Sequence, residues 1–185
     1  YKEKEAELMA LQTQINPHFL YNTLDSIFWT AQEYHADEIG KMVVALSNVF
    51  KLSLNKGEKF ITLEKELELV TNYLAIQQMR FGDSLHTKID VPFELYNQKI
   101  LKFLLQPLVE NSLYHGIKEK TSPGIITIIS RVRTDHITLC VCDNGVGMEQ
   151  AKLRRYLNSP EAEDHFGLKS VYNRLFLYYN NKCKL

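Results

Sequence analysis

The sequence lacks the features that would mark a metal site built from cysteine and histidine, a membrane-spanning helix or a nucleic-acid-binding protein. Its 3 cysteines, Cys140, Cys142 and Cys183, have no second CxxC-type pair or histidine cluster beside them, which predicts buried thiols in a reducing compartment. No apolar run approaches the ~20 residues of a membrane-spanning helix. The 22 Lys and Arg residues balance 22 Asp and Glu residues, so no net field favours direct contact with nucleic acid.

The residues that are present indicate an ordinary globular protein. Hydrophobic residues make up 45% of the chain and charged residues 24%, which is enough apolar material for a core. The length suits a single domain, or a small helical module joined to one domain. Because the chain starts at Tyr1 rather than at methionine and shows no signal peptide, we expect an excised soluble fragment of a longer protein.

Residues 1–58 are predicted to form an antiparallel helical hairpin. Apolar residues recur at three- and four-residue steps along one helix over residues 1–34 and a second from about residue 39 to residue 50. A short polar link at His35 to Asp37 joins them. The first helix has more apolar surface than one partner can cover, so we expect a homodimer in which two hairpins form a four-helix bundle.

Residues 59–185 are predicted to form an α+β sandwich, a sheet with helices on one face. Thr62 caps a helix that ends at Gly82, with acidic residues in its first turn. The remaining predicted elements are a strand at 85–91, a helix from Pro107 to about Gly116, strands at 124–133 and 136–143 joined as a hairpin, and helices at 149–157 and 167–179.

The run Asn16-Pro17-His18-Phe19-Leu20-Tyr21-Asn22 is the first candidate site. A proline inside a helix removes a hydrogen bond and strains the turn at a cost of about 3 kcal/mol, so we predict a functional kink. His18 follows it, and Asn22 lies one helical turn later on the same face. The alternative is a structural kink beside an ordinary histidine.

The second candidate site is Asn111, which directly follows Glu110 in an otherwise apolar helix. Amide and carboxylate oxygens suit Mg²⁺, which needs only one or two protein ligands beside phosphate. The alternative is a helix end with polar caps, which would give the same sequence pattern.

Asp143-Asn144-Gly145-Val146-Gly147-Met148 follows a predicted strand and is the third candidate. A carboxylate fixed at a strand end can accept a hydrogen bond from the amine of adenine, and glycines at 145 and 147 allow positive φ and close backbone approach. The alternative is an ordinary turn. Gly167, at the start of the last helix, offers free N–H groups to phosphate oxygens.

Together and in this order, these motifs resemble the histidine kinases of the LytS/YesM type, whose phosphoacceptor motif reads NPHFLYN. The resemblance covers nearly the whole chain, and its glycine boxes are shared with the wider GHKL superfamily of gyrase and heat-shock chaperones. Its further segments are Thr62 to Leu67, Tyr73-Leu74, Arg80 to Asp83, Gln106 to Gly116 and Gly167-Leu168.

The resemblance implies a role for each motif residue. His18 would accept the γ-phosphoryl group of ATP, and Asn22 would orient its ring or a water that hydrolyses phosphohistidine, with packing as the alternative. The nucleotide site would comprise Asn111 as the Mg²⁺ ligand with Glu110 beside it, Asp143 at the adenine, Gly145 and Gly147 in the first glycine box, and Gly167 and Leu168 in the second. Tyr114 and His115 would face ribose or phosphates, with a helix cap as the alternative for His115, and residues 157–166 would form a lid.

The chain also departs from the family pattern. Phe19 stands where other kinases carry an acidic general base, so the base is unassigned. His165 occupies the position of a glycine in the second glycine box, and the chain ends at Leu185, where related domains continue, so we expect a C-terminally incomplete sheet.

The resemblance implies autophosphorylation of His18 from Mg-ATP, followed by transfer to a response-regulator aspartate. It also implies a cytoplasmic fragment of a bacterial membrane protein whose missing N-terminal region holds the sensor. One alternative is a catalytically weak, nucleotide-binding dimeric scaffold. Another is a gyrase- or chaperone-like ATPase, which Pro107 opposes because those enzymes carry a glutamate there.

Overall fold

The protein is described by a computed structural model over residues 16–54, 58–117, 122–151 and 166–179. The chain divides into two compact units, Tyr1–Lys56 and Gly57–Leu185.

The first unit contains the predicted helical hairpin. Helix α1 is Pro17–Glu33 and helix α2 is Asp37–Ser53, and His35 turns the chain between them with a φ of 53°. The helices pack through small and aliphatic side chains that are buried between them. These are Leu24, Ala31, Gly40, Val43 and Ala45.

Pro17 begins helix α1, so the predicted kink within a continuous helix is wrong at this point. Asn16 has extended backbone angles (φ −71°, ψ 106°), and its side-chain oxygen accepts hydrogen bonds from the N–H groups of His18 at 3.1 Å and Phe19 at 3.4 Å. A proline at the first helical position lacks only an N–H that has no helical partner there. The cost predicted for a mid-helix proline therefore does not apply. Residues 1–15 of the predicted helix lie outside the described residues.

The second unit begins with strand β1, Phe60–Thr62, followed by helix α3, Leu63–Phe81. The predicted cap and end of this helix are confirmed. The Thr62 hydroxyl accepts a hydrogen bond from the N–H of Lys65 at 3.4 Å, and Gly82 ends the helix with a φ of 56°. The buried face of the helix includes Leu63, Leu67, Val70, Leu74 and Gln77.

A three-stranded mixed sheet follows. Strand β2 is Leu85–Asp90, β4 is Gly124–Val132 and β5 is Ile137–Asp143. Strand β4 lies in the middle, parallel to β2 and antiparallel to β5. The β4–β5 hairpin was predicted, whereas the parallel pairing was not.

Two further segments position the site. Strand β3, Lys99–Leu101, pairs antiparallel with β1, and helix α4 is Leu105–Asn111. The predicted helix to Gly116 is only partly correct, because a π-helical turn, Ser112–Ile117, continues from α4. Such turns are rare and often lie at functional sites.

The core of the second unit lies between one face of the mixed sheet and helices α3 and α4. Ile126 and Ile128 of β4 are fully buried, whereas Ile125 on the other face is 46% exposed. Their core partners include Leu67, Val70, Leu74, Leu105 and Val109. The predicted α+β fold class, helices followed by a sheet covered on one face, is confirmed.

The last described element is helix α5, Phe166–Tyr179, close to the predicted 167–179. Most of the helix predicted at 149–157, and the predicted lid with His165, lie outside the described residues. No helix in the described ranges is long and apolar enough to span a membrane.

Candidate functional site

His18 lies exposed in the first turn of helix α1. The side-chain amide nitrogen of Asn22 lies 3.2 Å from Nδ1 of His18, as their spacing predicts. With the amide nitrogen facing the ring, Nδ1 accepts the hydrogen bond and the ring proton lies on Nε2. Rotating the amide by half a turn lets its oxygen accept from Nδ1–H and leaves a lone pair on Nε2. Asn22 can therefore stabilise either neutral tautomer.

In the second unit, Asp143 ends strand β5 and organises the loop that follows. Its Oδ1 accepts a hydrogen bond from the N–H of Gly145 at 2.8 Å, and its Oδ2 accepts one from the hydroxyl of Ser112 at 2.7 Å. The carboxylate thus joins the end of the sheet to the π-helical turn. Ser112 was not among the predicted site residues.

Gly145 lies against the backbone of Gly116. A Cβ atom at residue 145 would be 2.5 Å from Cα of Gly116 and 2.6 Å from Oδ1 of Asp143. The N–H of Val146 donates to the carbonyl of Gly116 at 3.1 Å, so the two segments are held in contact. Gly147 has a φ of 74°, a conformation that glycine adopts without strain.

Asn144 fastens the same loop to the start of β4. Its Oδ1 accepts from the N–H of Ile125 at 2.8 Å, and its Nδ2 donates to the carbonyl of Pro123 at 3.1 Å. Its role is structural.

Asn111 is the last residue of α4. Its side-chain oxygen is buried and, like those of Gln77, Gln106 and Ser130, has no hydrogen-bond partner among the described residues. Buried polar atoms are nearly always paired, so an orphaned oxygen marks a place for an ion or water. Glu110 accepts a hydrogen bond from Nε2 of Gln106 at 3.0 Å. An amide oxygen and a nearby carboxylate are the donor types that fit Mg²⁺.

Tyr114 and Glu110 converge on Tyr73 of helix α3, which was not a predicted site residue. Burial raises the pKa of Tyr73, and the negative charge of Glu110 and the hydrogen bond with Tyr114 raise it further. The phenol therefore stays protonated and serves as a donor. His115 is exposed in the π-helical turn.

Gly167 and Leu168 lie in the first turn of helix α5. A Cβ atom at residue 167 would be 3.4 Å from Cβ of Pro107, an ordinary contact. The start of α5 therefore lies beside the first turn of α4. The second unit thus contains all predicted nucleotide-site residues, whereas His18 and Asn22 belong to the first.

Glu66 is a buried residue whose importance the sequence did not reveal. It is 0% exposed, and its carboxylate accepts hydrogen bonds from the N–H groups of Phe103 and Leu105, both at 2.9 Å. Burial raises its pKa above the ordinary value of 4.5, while those N–H groups and Arg174 oppose the shift. The sequence predicted only a favourable charge at the start of helix α3.

The raised pKa predicts a pH-dependent effect of Glu66→Gln on stability. The folded protein holds this proton more tightly than the unfolded chain, so the contribution of Glu66 is present below its unfolded pKa and is lost as pH rises through its folded pKa. Arg174 and Lys102 are the charged groups that face it. As the pH is raised from 4.5, the melting temperature of the variant should therefore rise relative to that of wild type.

Glu64→Gln is the matched control, because Glu64 is exposed on the same helix turn. Its difference from wild type should show no such drift. A stability difference for Glu66→Gln that stays constant or moves toward wild type with rising pH would contradict the prediction.

The sequence matches one protein-family model and several known proteins. Residues 6–85 match the model of the histidine kinase family. The chain is 39% identical over 146 residues to the sensor histidine kinase YesM of Bacillus subtilis, covering 79% of this chain and 25% of the relative. It is 40% identical over 151 residues to the sensor protein LytS of Oceanobacillus iheyensis, covering 81% of this chain and 26% of that protein.

A third relative, the sensor histidine kinase YpdA of Escherichia coli, is 34% identical over 176 residues, covering 95% of this chain and 31% of the relative. Among solved structures, the histidine kinase domain of the Erythrobacter litoralis EL346 blue-light activated kinase matches with a TM-score of 0.47 and 16% identity, covering 96% of this chain and 85% of that one. The chain spans 25% to 31% of the length of these three curated relatives. It belongs to the sensor histidine kinases of the LytS/YesM type.

Proposed function

We propose that this chain is the catalytic core of a two-component sensor histidine kinase. It binds Mg-ATP in its second unit, phosphorylates His18 and passes the phosphoryl group to an aspartate of a response regulator. The observation that carries the nucleotide-binding part is the buried, unpartnered side-chain oxygen of Asn111. Membership of the kinase family supports the use of ATP.

The proposed nucleotide site uses the GHKL-type arrangement. The Asp143 carboxylate accepts a hydrogen bond from the exocyclic amine of adenine while Ser112 and Gly145 hold it in place. Asn111, with Glu110 beside it, would hold Mg²⁺, which supplies charge neutralisation at the phosphates. Tyr114 and His115 would face the ribose or phosphates, and Gly167 and Leu168 would lie at the phosphate end.

In the proposed phosphoryl transfer, the lone pair on Nε2 of His18 attacks the γ-phosphorus. The bond from phosphorus to the β,γ-bridging oxygen breaks, and ADP leaves with that oxygen. The ring proton stays on Nδ1, where the side-chain oxygen of Asn22 accepts its hydrogen bond. This role for Asn22 requires the amide orientation that leaves Nε2 unprotonated.

The hairpin is proposed to form a homodimer. Large apolar side chains remain exposed on it, including Phe19 at 72%, Trp29 at 70% and Tyr34 at 76%, and a second hairpin would cover such surface as a four-helix bundle. Sedimentation that detects only monomer at every concentration would contradict this. As part of the same proposal, the chain acts in the cytoplasm, where ATP is available.

Incubation with γ-labelled ATP and Mg²⁺ tests the kinase function. Label that is lost in acid and retained in base is expected on the chain, since phosphohistidine has this stability. Adding a response-regulator receiver domain should move the label to that domain. Nucleotide binding without label would support a scaffold instead, and phosphate release without label would support an ATPase.

A further inference from the structure

The loop that leads into helix α4 has an unfavourable backbone conformation. Phe103, between β3 and α4, has a φ of 58°. A left-handed conformation is unfavourable for a residue with a Cβ atom, because the Cβ atom crowds the neighbouring backbone. Such a conformation persists only where the surroundings enforce it. Two side chains from other helices do so here.

The first is Glu66 of helix α3, which binds the N–H groups of the loop. Its Oε2 accepts from Phe103 and its Oε1 from Leu105, the first residue of α4. The N–H of Leu104 also stabilises the charged carboxylate. Three successive N–H groups therefore point at one fully buried carboxyl group.

The second is Arg174 of helix α5, which binds the carbonyl groups of the same loop. Its Nη1 donates to the carbonyl of Phe103 at 3.3 Å, and its Nη2 donates to the carbonyl of Lys102. The planar guanidinium can hold two carbonyls at once, which a lysine could not do with the same geometry. Side chains from two helices thus hold one loop, Glu66 through its N–H groups and Arg174 through its carbonyl groups.

We propose that Glu66 and Arg174 are positioning residues for Asn111, and so for Mg²⁺ at the nucleotide site. Helix α4 runs from Leu105 to Asn111, so a displacement of its first residue would shift the helix that carries Asn111. The start of α5 also lies beside this helix, with Gly167 against Pro107. This inference rests on the proposed Mg-ATP function.

The test compares nucleotide binding with and without the metal. Calorimetry measures the affinity of the full chain for β,γ-imido-ATP in Mg²⁺ and in EDTA. Arg174→Gln should leave the affinity in EDTA within about twofold, since Asp143 is untouched. It should reduce the gain in affinity from Mg²⁺ by about tenfold, the usual effect of losing a group that supports a metal ligand.

Two variants and a control sharpen the result. Glu66→Gln, which leaves one N–H without an acceptor, should reduce the Mg²⁺ gain in the same way. Adding Phe103→Gly to Arg174→Gln should restore the gain in affinity from Mg²⁺ at least in part, because glycine adopts the left-handed conformation without a Cβ penalty. Arg131→Gln removes the same charge from an exposed position on β4. This control should leave the affinity unchanged both in Mg²⁺ and in EDTA.

The outcomes separate the inference from the function on which it rests. If wild type gains affinity from Mg²⁺ and both folded variants keep that gain, the positioning inference fails and the kinase proposal stands. Equal losses with and without Mg²⁺ would also overturn it, since they indicate general damage to the domain. If wild type binds no nucleotide under either condition, both proposals fail.

Discussion

Replacing His18 with glutamine is expected to eliminate all acid-labile label from the chain. Glutamine keeps a polar side chain at this exposed position but has no nucleophilic ring nitrogen. The backbone N–H of residue 18 still donates to Asn16, so the helix cap is preserved. Autoradiography after incubation with γ-labelled ATP measures the effect. The affinity for ATP should be unchanged, because the proposed nucleotide site lies in the second unit.

His35→Asn is the matched control for this variant. His35 lies in the same hairpin with a φ of 53°, and asparagine tolerates that conformation better than most residues. The control should keep full labelling. Undiminished label in His18→Gln would identify a different acceptor and exclude the proposed reaction.

Asp143→Ala is expected to weaken ATP binding by at least about a hundredfold. A hydrogen bond to a charged group contributes roughly 1.5–3 kcal/mol, and each ~1.4 kcal/mol changes affinity tenfold. The variant loses the proposed bond to adenine and also frees the loop, since Gly145 and Ser112 lose their shared acceptor. Isothermal titration with β,γ-imido-ATP measures the change.

Ser112→Ala separates recognition from loop structure. It removes the 2.7 Å hydrogen bond to Oδ2 of Asp143 but leaves the carboxylate in place. The affinity for nucleotide should therefore fall by only about tenfold, the lower end of the range for a hydrogen bond to a charged group. Unchanged affinity in a folded Asp143→Ala would refute the assignment of Asp143. Equal losses in the two variants would assign the effect to the loop.

The elements that local sequence determines could be predicted. Helix α3 has a threonine cap, a glycine end and apolar residues at helical spacing, and each of these depends only on neighbouring residues. The β4–β5 hairpin has the same local origin. The proximity of Asn22 to His18 followed from helical spacing alone, although the chemical role of the pair stays a prediction.

The missed features depend on distant residues or on competing local conformations. Glu66 binds N–H groups 37 and 39 residues later in the chain, so no local pattern indicated its burial. The parallel pairing of β2 with β4 is equally long-range. The kink at Pro17 was predicted wrongly because the sequence does not distinguish a proline within a helix from one at its first position. Only the extended backbone of Asn16 distinguishes the two.

The contact between Gly116 and Gly145 limits how this protein can diversify. A Cβ atom at residue 145 would overlap the backbone of Gly116, so position 145 has no room for a larger residue unless the two segments separate. A Cβ atom at residue 116 would instead lie 3.0 Å from Oδ1 of Asp143. Changes in the residues around this contact would therefore have to keep the glycine at 145. A deep mutational scan should accordingly find position 145 far less permissive than its neighbour at 146, whose side chain is 57% exposed.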